Sequence, residues 1–431
     1  MKFLYSDTHD YVDPGYDFIG DRNSATRHRY WGDVYAHELM DPVPYDGLLV
    51  AMSAVVQADG VPRSKVRYST AEMHRMLREG ARKFLRMDGR SLRDAMLMGD
   101  CGAFAYATLA KPPYALEQVA EFYLDGGFTH GVSPDHIIFD CDLANPPRTV
   151  VSAAVQERYD ITLNNAEAFL GLTKSEGGNF VPVGAVQGWS PASMAESARA
   201  LEAMGYRYLA IGGLVPLRAD AIHCVLRALR QAIQPQTHIH LLGFAKAEQI
   251  GEFTDYGITS FDSTSPLIRA FKDARANYYM PAPGGGLAYY SAIRIPQAIE
   301  NPRLMRGIKK GIFSAEDLQR REAQALTMLR AFDKGRESLE STLDAVTEYQ
   351  EFLGKDEGLS EAQRTSEVKK SRVMNRRTLT ESPWKHCECS ICSQIGVEVI
   401  IFRSSNRNKR RGFHNLGVYH RHLQTSLERV V

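Results

Sequence analysis

Short apolar runs recur along the chain, each closed by a polar turn and followed by a longer amphipathic stretch. They lie at 48–56, 95–100, 136–142, 181–188, 208–213, 239–245, 258–264 and 288–295, eight in all. The runs lack strict alternation, as expected of strands buried on both faces. The segments between them, such as SPASMAESARALEAMG and LRADAIHCVLRALRQAI, carry helical periodicity. Eight alternations of strand and helix over about 250 residues predict an α/β fold, a (β/α)8 barrel over 48–300. An open doubly wound sheet is the alternative. Residues 1–47 read as an N-terminal extension, 301–375 as a helical insertion and 376–431 as a basic metal-binding subdomain. Within the insertion, 314–356 is proline-free and rich in Glu, Leu, Arg and Ala, and Ser314 with Asp317 resembles a helix start. One or two long helices are predicted there, with a linker around 355–372.

Composition narrows the classes. With 431 residues, 44% hydrophobic and 24% charged, the chain is of ordinary globular make-up. Its longest apolar run, 47–56, is about half of what crosses a bilayer, and the opening MKFLYSDTHD has no apolar signal core. A soluble, cytoplasmic protein without a membrane partner is expected. Net charge is +1, but residues 361–431 hold fourteen Lys or Arg against six Glu, which leaves −7 on residues 1–360. A basic module of this kind suits nucleic-acid phosphates, and a solvated surface is the competing reading.

Of six cysteines, Cys387, Cys389 and Cys392 lie within six residues, and His414 follows 22 residues later. Three thiolates and an imidazole make a closed tetrahedral site, the usual structural zinc arrangement. His386, His420 and His422 compete for the fourth place, and coincidental buried thiols are the alternative. Asp100, Asp140 and Asp262 each end an apolar run. In a barrel those ends converge on one mouth, and paired carboxylates there suit glycosidic chemistry, one attacking the anomeric carbon and another moving the leaving-group proton. Taken singly, such an Asp is more often a cap or a loop hydrogen-bonder. The cluster Asp7, Asp10, Asp13 and Asp17, interleaved with Tyr11 and Tyr16, admits a metal or partner site, but a solvated loop turning at Asp13-Pro14-Gly15 is the preferred reading.

Taken in order, Asp100-Cys101-Gly102-Ala103-Phe104, Phe139-Asp140, Gly184 to Gly188, Ile211-Gly212-Gly213-Leu214, Leu242-Gly243, Phe261-Asp262 and the CxCxxC with Phe413-His414-Asn415 resemble the motif series of the tRNA-guanine transglycosylase family. The resemblance spans 48–300 and 385–425. It implies a barrel with a zinc subdomain, and a pentosyltransferase that exchanges an encoded guanine for a 7-deazaguanine base. It further implies Asp262 as nucleophile, Asp100 as general acid/base, Asp140 with Gln187 and the Gly213 backbone as readers of the purine edge, and zinc on Cys387, Cys389, Cys392 and His414. Phe104 and Leu242 join the substrate pocket, Leu242 near the C7 substituent of the incoming base. Gln187 could instead be a polar residue closing a strand end, and Asp142 reads as structural or capping.

The departures from the family pattern matter. Its usual Asp-Ser-Gly-Gly-Phe-Gln becomes Asp100-Cys101-Gly102-Ala103-Phe104-Ala105. The text after Gly213 becomes Leu214-Val215-Pro216-Leu217-Arg218, and a Thr-Arg pair is replaced by Ser265-Pro266 with Arg269 beyond. The insertion at 314–375 has no counterpart in the ordinary tRNA enzymes. With the opening YSDTHDYVDPGYDF, these features look like the DNA-modifying branch, which places 7-cyano-7-deazaguanine (preQ0) into DNA. A duplex hides C1′, so the target nucleotide must be flipped out or single-stranded. Tyr289, Tyr290, Trp384 and Tyr419 beside the basic module could supply stacking, although each also reads as core or surface filler. The branch implies companion proteins of a modification/restriction system, an ATPase among them, and the family implies a possible homodimer. A tRNA substrate is the nearest alternative. A non-catalytic nucleic-acid-binding subunit is argued against by the joint presence of Asp100, Asp140 and Asp262, and an unrelated barrel hydrolase would leave Gln187 and Gly212-Gly213 unexplained.

Overall fold

Lys2–Ser6 (β1) is a strand, and it closes a barrel. The computed structural model describes residues 1–431 except 8, 29–30, 90, 176–178, 245, 354–359 and 429–431. Eight parallel strands follow one another around the ring: β1, Gly47–Ala51 (β2), Met96–Asp100 (β3), His130–Val132 (β4), Val181–Val186 (β5), Tyr208–Ile211 (β6), His238–Leu241 (β7) and Ser260–Ser263 (β8). β8 pairs back onto β1, with Phe3 opposite Phe261 and Leu4 opposite Asp262. Both faces of these strands are buried, which explains the continuous apolar runs. Leu4, Leu49, Met96, Met98, Val132, Val183, Ala185, Tyr208 and Ala210 form the inner cluster. Phe3 stacks on Phe261 at 5.4 Å, and Phe244 meets that ring edge-on at 5.6 Å. Crossover helices start and stop on local signals. Pro191–Met204, for example, begins at the Ser190 cap with proline in its first turn and ends at Gly205, where φ is +115°.

Two compact units are present: residues 1–9, 45–264 and 423–431, which contain the barrel, and residues 10–44 and 265–422. The barrel boundaries differ from the expected ones. Its first strand lies inside the presumed 1–47 extension, where a five-residue strand followed by a run of polar residues leaves little pattern. The run at 136–142 is not a ladder strand; β4 is only three residues long, Ser133 beyond it still donates its N–H to the Val183 carbonyl of β5 at 2.8 Å, and no described strand covers 136–142. The run at 288–295 is not in the barrel. It supplies Leu287–Tyr290 (β10), which pairs antiparallel with Tyr278–Pro281 (β9), and Ile293–Arg294 (β11), which pairs with Ile401–Phe402 (β12). Of the expected 239–245 run, residue 245 lies outside the described residues.

In the second unit the expected long helices are two, Ala315–Asp333 and Leu339–Leu353. The Ser314 hydroxyl caps the first by accepting from the Asp317 N–H at 3.0 Å. The expected linker is a helix from Glu361 onward, Glu361–Glu381, while residues 355–359 lie outside the described residues. Arg372 and Arg376 of that helix pair with Asp344 and Glu340. The basic module is only partly a surface: Arg407 and Arg411 are fully buried, Arg407 pairing with Asp21 and Glu398, and Arg410 donating to the Asp13 carbonyl at 3.0 Å. Asp10 and Asp13 are buried too, so a solvated N-terminal acidic loop is not what forms, although the chain does turn at Asp13, whose carboxylate accepts from Gly15 and Ser24. Trp384 and Tyr419 are core residues and present no face to a base. Among the described residues no helix is long and apolar enough to cross a membrane.

Candidate functional site

Side chains alternate across a strand, so the inward parity that buries Leu4, Met98, Ala185 and His240 continues to Ser6, Asp100, Gln187 and Leu242 at the C-terminal mouth. On β8 the inward pair is Ser260 and Asp262. Asp262 is buried and held by three donors: the Ser6 hydroxyl on one oxygen, and on the other the Gly243 N–H at 2.8 Å and His240 Nε2 at 3.3 Å. His240 is fully buried, with Nδ1 at 2.7 Å from Ser260 Oγ, which lies 2.6 Å from the Tyr208 hydroxyl. One direction satisfies every atom: Tyr208 donates to Ser260, Ser260 to His240 Nδ1, and His240 Nε2–H to Asp262. The carboxylate is thus fixed in one orientation.

Asp100 ends β3 and accepts from the Gly102 N–H at 3.1 Å. Gly102 has φ +79°, and a Cβ there would lie 1.9 Å from Ser53 Oγ, so only glycine makes this turn. Burial, and then the charges of Asp135 and Asp262, push the Asp100 carboxyl up to about 7. Asp135, fully buried, is the residue that sequence reasoning missed. It accepts from Gln187 Nε2 at 2.6 Å and from the Cys101 thiol at 3.2 Å, and burial raises its carboxyl also. Gln187 closes the link by accepting from the Ile138 N–H at 3.1 Å. Asp135 sits in the sequence SPDHIIF, which resembles a turn; its one handle is that a buried Gln187 must find a partner. Ser6 and His240 were likewise not singled out.

The other expected residues line the rim. Phe104 is 57% exposed, meets Phe139 edge-on at 5.7 Å, and lies under the Lys65 ammonium at 5.6 Å. Asp140 is exposed, in the extended segment after β4 rather than at a strand end, and makes no hydrogen bond to the buried carboxylates. Gly213 has φ +73°, and a Cβ there would meet the Ile138 carbonyl oxygen at 2.6 Å. Leu242 packs on the inner barrel cluster. Asp142 caps its own loop by accepting from the Ala144 N–H at 2.8 Å.

In the second unit, Cys387, Cys389 and Cys392 surround His414, each Sγ lying 3.4–3.5 Å from its Nδ1. His386, His420 and His422 are not members of this cluster. Cys389 caps the short helix carrying Cys392, and His414 Nε2 lies 2.7 Å from the Tyr279 carbonyl, which leaves Nδ1 facing the thiols. Tyr278 stacks on the imidazole at 4.1 Å. Four soft donors within 4.8 Å of one another fit a tetrahedral metal ion.

Residues 66–280 match the family described as queuine tRNA-ribosyltransferase. A DNA-guanine transglycosylase of Salmonella montevideo is 39% identical over 428 residues, covering 99% of this chain and 97% of that one.

Proposed function

The chain belongs to the tRNA-guanine transglycosylase family and is a pentosyltransferase, and from that premise we propose that it exchanges guanine in DNA for a 7-deazaguanine base, preQ0, through a glycosyl ester on Asp262. The observation that carries the chemistry is the pair at the mouth. Asp262 is aimed by three donors, and Asp100 keeps a protonated share near neutrality. Asp262 attacks C1′ of the target deoxyguanosine as the C1′–N9 bond breaks, and Asp100 donates its proton to the departing base. The deazaguanine then attacks the same carbon, gives its ring proton to Asp100 and releases the Asp262 carboxylate. Two displacements retain configuration.

In this reading Phe104 stacks on the base at the rim, Asp140 accepts from the ring N–H and exocyclic amine common to guanine and its 7-deaza analogues, and Leu242 borders the C7 substituent. Gln187 braces Asp135 against Ile138, and Gly213 offers its backbone beside that brace. The metal cluster would hold zinc as a structural ion that fixes the second unit. DNA as substrate is supported by the full-length similarity, which includes the helical region beyond 280. Companion proteins, an ATPase among them, and a second copy of the chain complete the proposal.

The test is a nucleoside digest with mass spectrometry on genomic DNA and, separately, on tRNA, from cells carrying the gene and from an Asp262→Ala strain. A deazaguanine deoxynucleoside that vanishes in the variant is expected. The same signal confined to tRNA would overturn the substrate, and an unchanged signal in the variant would overturn the nucleophile.

A further inference from the structure

Many cationic side chains of the second unit meet a carboxylate. Arg403 and Arg407 share Asp21, Arg330 meets Glu398 at 2.7 Å, and Arg372 and Arg376 meet Asp344 and Glu340. Arg275 and Arg294 depart from that pattern: among the described residues neither guanidinium has a carboxylate oxygen within 4.0 Å, although the Arg275 backbone N–H donates to Asp273 Oδ1 at 2.8 Å. Both line one cavity of about 250 Å³. The helix Glu361–Glu381 adds Arg364 and Lys370 to the lining, and among the described lining residues Glu367 is the one carboxylate, already accepting from Lys370 at 2.7 Å. Part of the lining is polar and fixed. Buried Asn375 donates to Gln350 Oε1 at 3.2 Å, and Gln350 donates to the Arg294 carbonyl at 3.1 Å, which holds that arginine's backbone in place.

Guanidinium groups that reach a cavity without a carboxylate partner keep their paired N–H donors for an incoming oxyanion, and their fork matches two phosphate oxygens. We propose that this cavity is a phosphate subsite for the polynucleotide backbone, built wholly from the second unit and roomy enough for a phosphodiester with its adjoining sugar. Lys370 is already held by Glu367, so the guanidinium groups of Arg275 and Arg294 are the cations on which an incoming backbone phosphate would rest. The subsite rests on the reading of the protein as an enzyme of DNA.

The experiment is fluorescence anisotropy with labelled single-stranded and duplex oligodeoxynucleotides across a salt series. It compares the wild-type protein, Arg275→Ala/Arg294→Ala, its lysine counterpart Arg275→Lys/Arg294→Lys, and the exposed control Lys309→Ala, with thermal melts to verify folding. Each lost phosphate contact should lower the slope of log affinity against log salt by about 0.9 for duplex and about 0.7 for single strands. The alanine pair should show that loss, together with a KM for DNA in base exchange that rises more than kcat falls. The lysine pair should restore the slope, and the control should match wild type. An alanine pair that binds with wild-type affinity and slope overturns the subsite while leaving the enzyme's DNA activity standing. Loss of dGMP binding in the alanine pair with an unchanged DNA slope reassigns the cavity to a small ligand and overturns it as well. A wild-type protein that neither binds nor modifies DNA fails before any variant is compared, and takes the underlying reading with it.

Discussion

Replacing Asp135 with asparagine removes one negative charge beside Asp100 and keeps the size and the oxygen that Gln187 donates to. The facing atoms of the two carboxyls lie within 4.8 Å. At that separation and an effective dielectric of about 20, two unit charges interact by roughly 3.5 kcal/mol, or about 2.5 pKa units. That value is a ceiling for two bare unit charges, and burial and Asp262 continue to act on Asp100, so a downward shift of about one unit is expected. The assay is single-turnover formation of the denaturation-resistant DNA–protein adduct, with no incoming base, followed across pH. In the proposed mechanism the first displacement needs Asp100 protonated, so in the wild-type protein its rate should fall as pH rises through about 7. In Asp135→Asn the falling limb should lie about one unit lower, making the variant roughly five-fold slower at neutral pH and nearly equal to wild type about two units below it. A limb that stays in place, that moves upward, or that drops equally at every pH would refute the electrostatic role of Asp135.

Asp100→Asn bears on stability with a definite sign. The folded carboxyl is raised from 3.8 to about 7, so the stability it allows is complete below 3.8 and is lost as pH rises through 7. The variant should therefore melt higher than wild type near pH 8, by at most about 4 kcal/mol, and the gap should close toward pH 4. Gly213→Ala places a Cβ against the Ile138 carbonyl at a φ that costs roughly 1–2 kcal/mol, so weaker binding of the incoming base and a lower melting temperature are expected. His240→Phe keeps the ring but leaves Ser260 and Asp262 each short of a partner, and should slow adduct formation more than it weakens DNA binding. Elemental analysis should find about one zinc per chain, and chelation or Cys389→Ser should expose Trp384, now buried in the second unit, as a red shift of its fluorescence.

Much of the barrel was legible because buried parallel strands are apolar on both faces, and 48–56, 95–100, 181–188, 208–213 and 258–264 all fall on ring strands. Length explains the misses. β4 spans three residues, too few to register, while His136, Ile137 and Ile138 beyond it are buried by packing and not by strand pairing. AYYSAIRI is equally apolar, yet its tyrosines are held by Arg269 and Arg377 in a separate hairpin. The thiol triad of the Cys3His cluster was legible from spacing, since a tight CxCxxC leaves few geometries open, whereas His414 was one of four histidines competing for the fourth place. Charge was misleading for a physical reason: a count cannot tell an arginine in water from Arg407, whose partners Asp21 and Glu398 stand 386 and 9 positions away. Asp135 and Ser6 were hidden in the same way, because their roles depend on partners supplied by other strands.

Ser6 stands 256 positions ahead of the carboxylate it holds, on the strand that seals the ring against β8. β1 leaves the ribosome well before β8, the neighbour that closes the ring. Such long-range pairing is slow to form, and here it is also the moment at which Asp262 acquires its aim. A nascent or truncated chain lacking β8 has no Asp262, and one that lacks β1 carries Asp262 without its Ser6 donor. In the proposed mechanism the closure of the ring, β1 against β8, is therefore also the event that gives Asp262 its full set of donors.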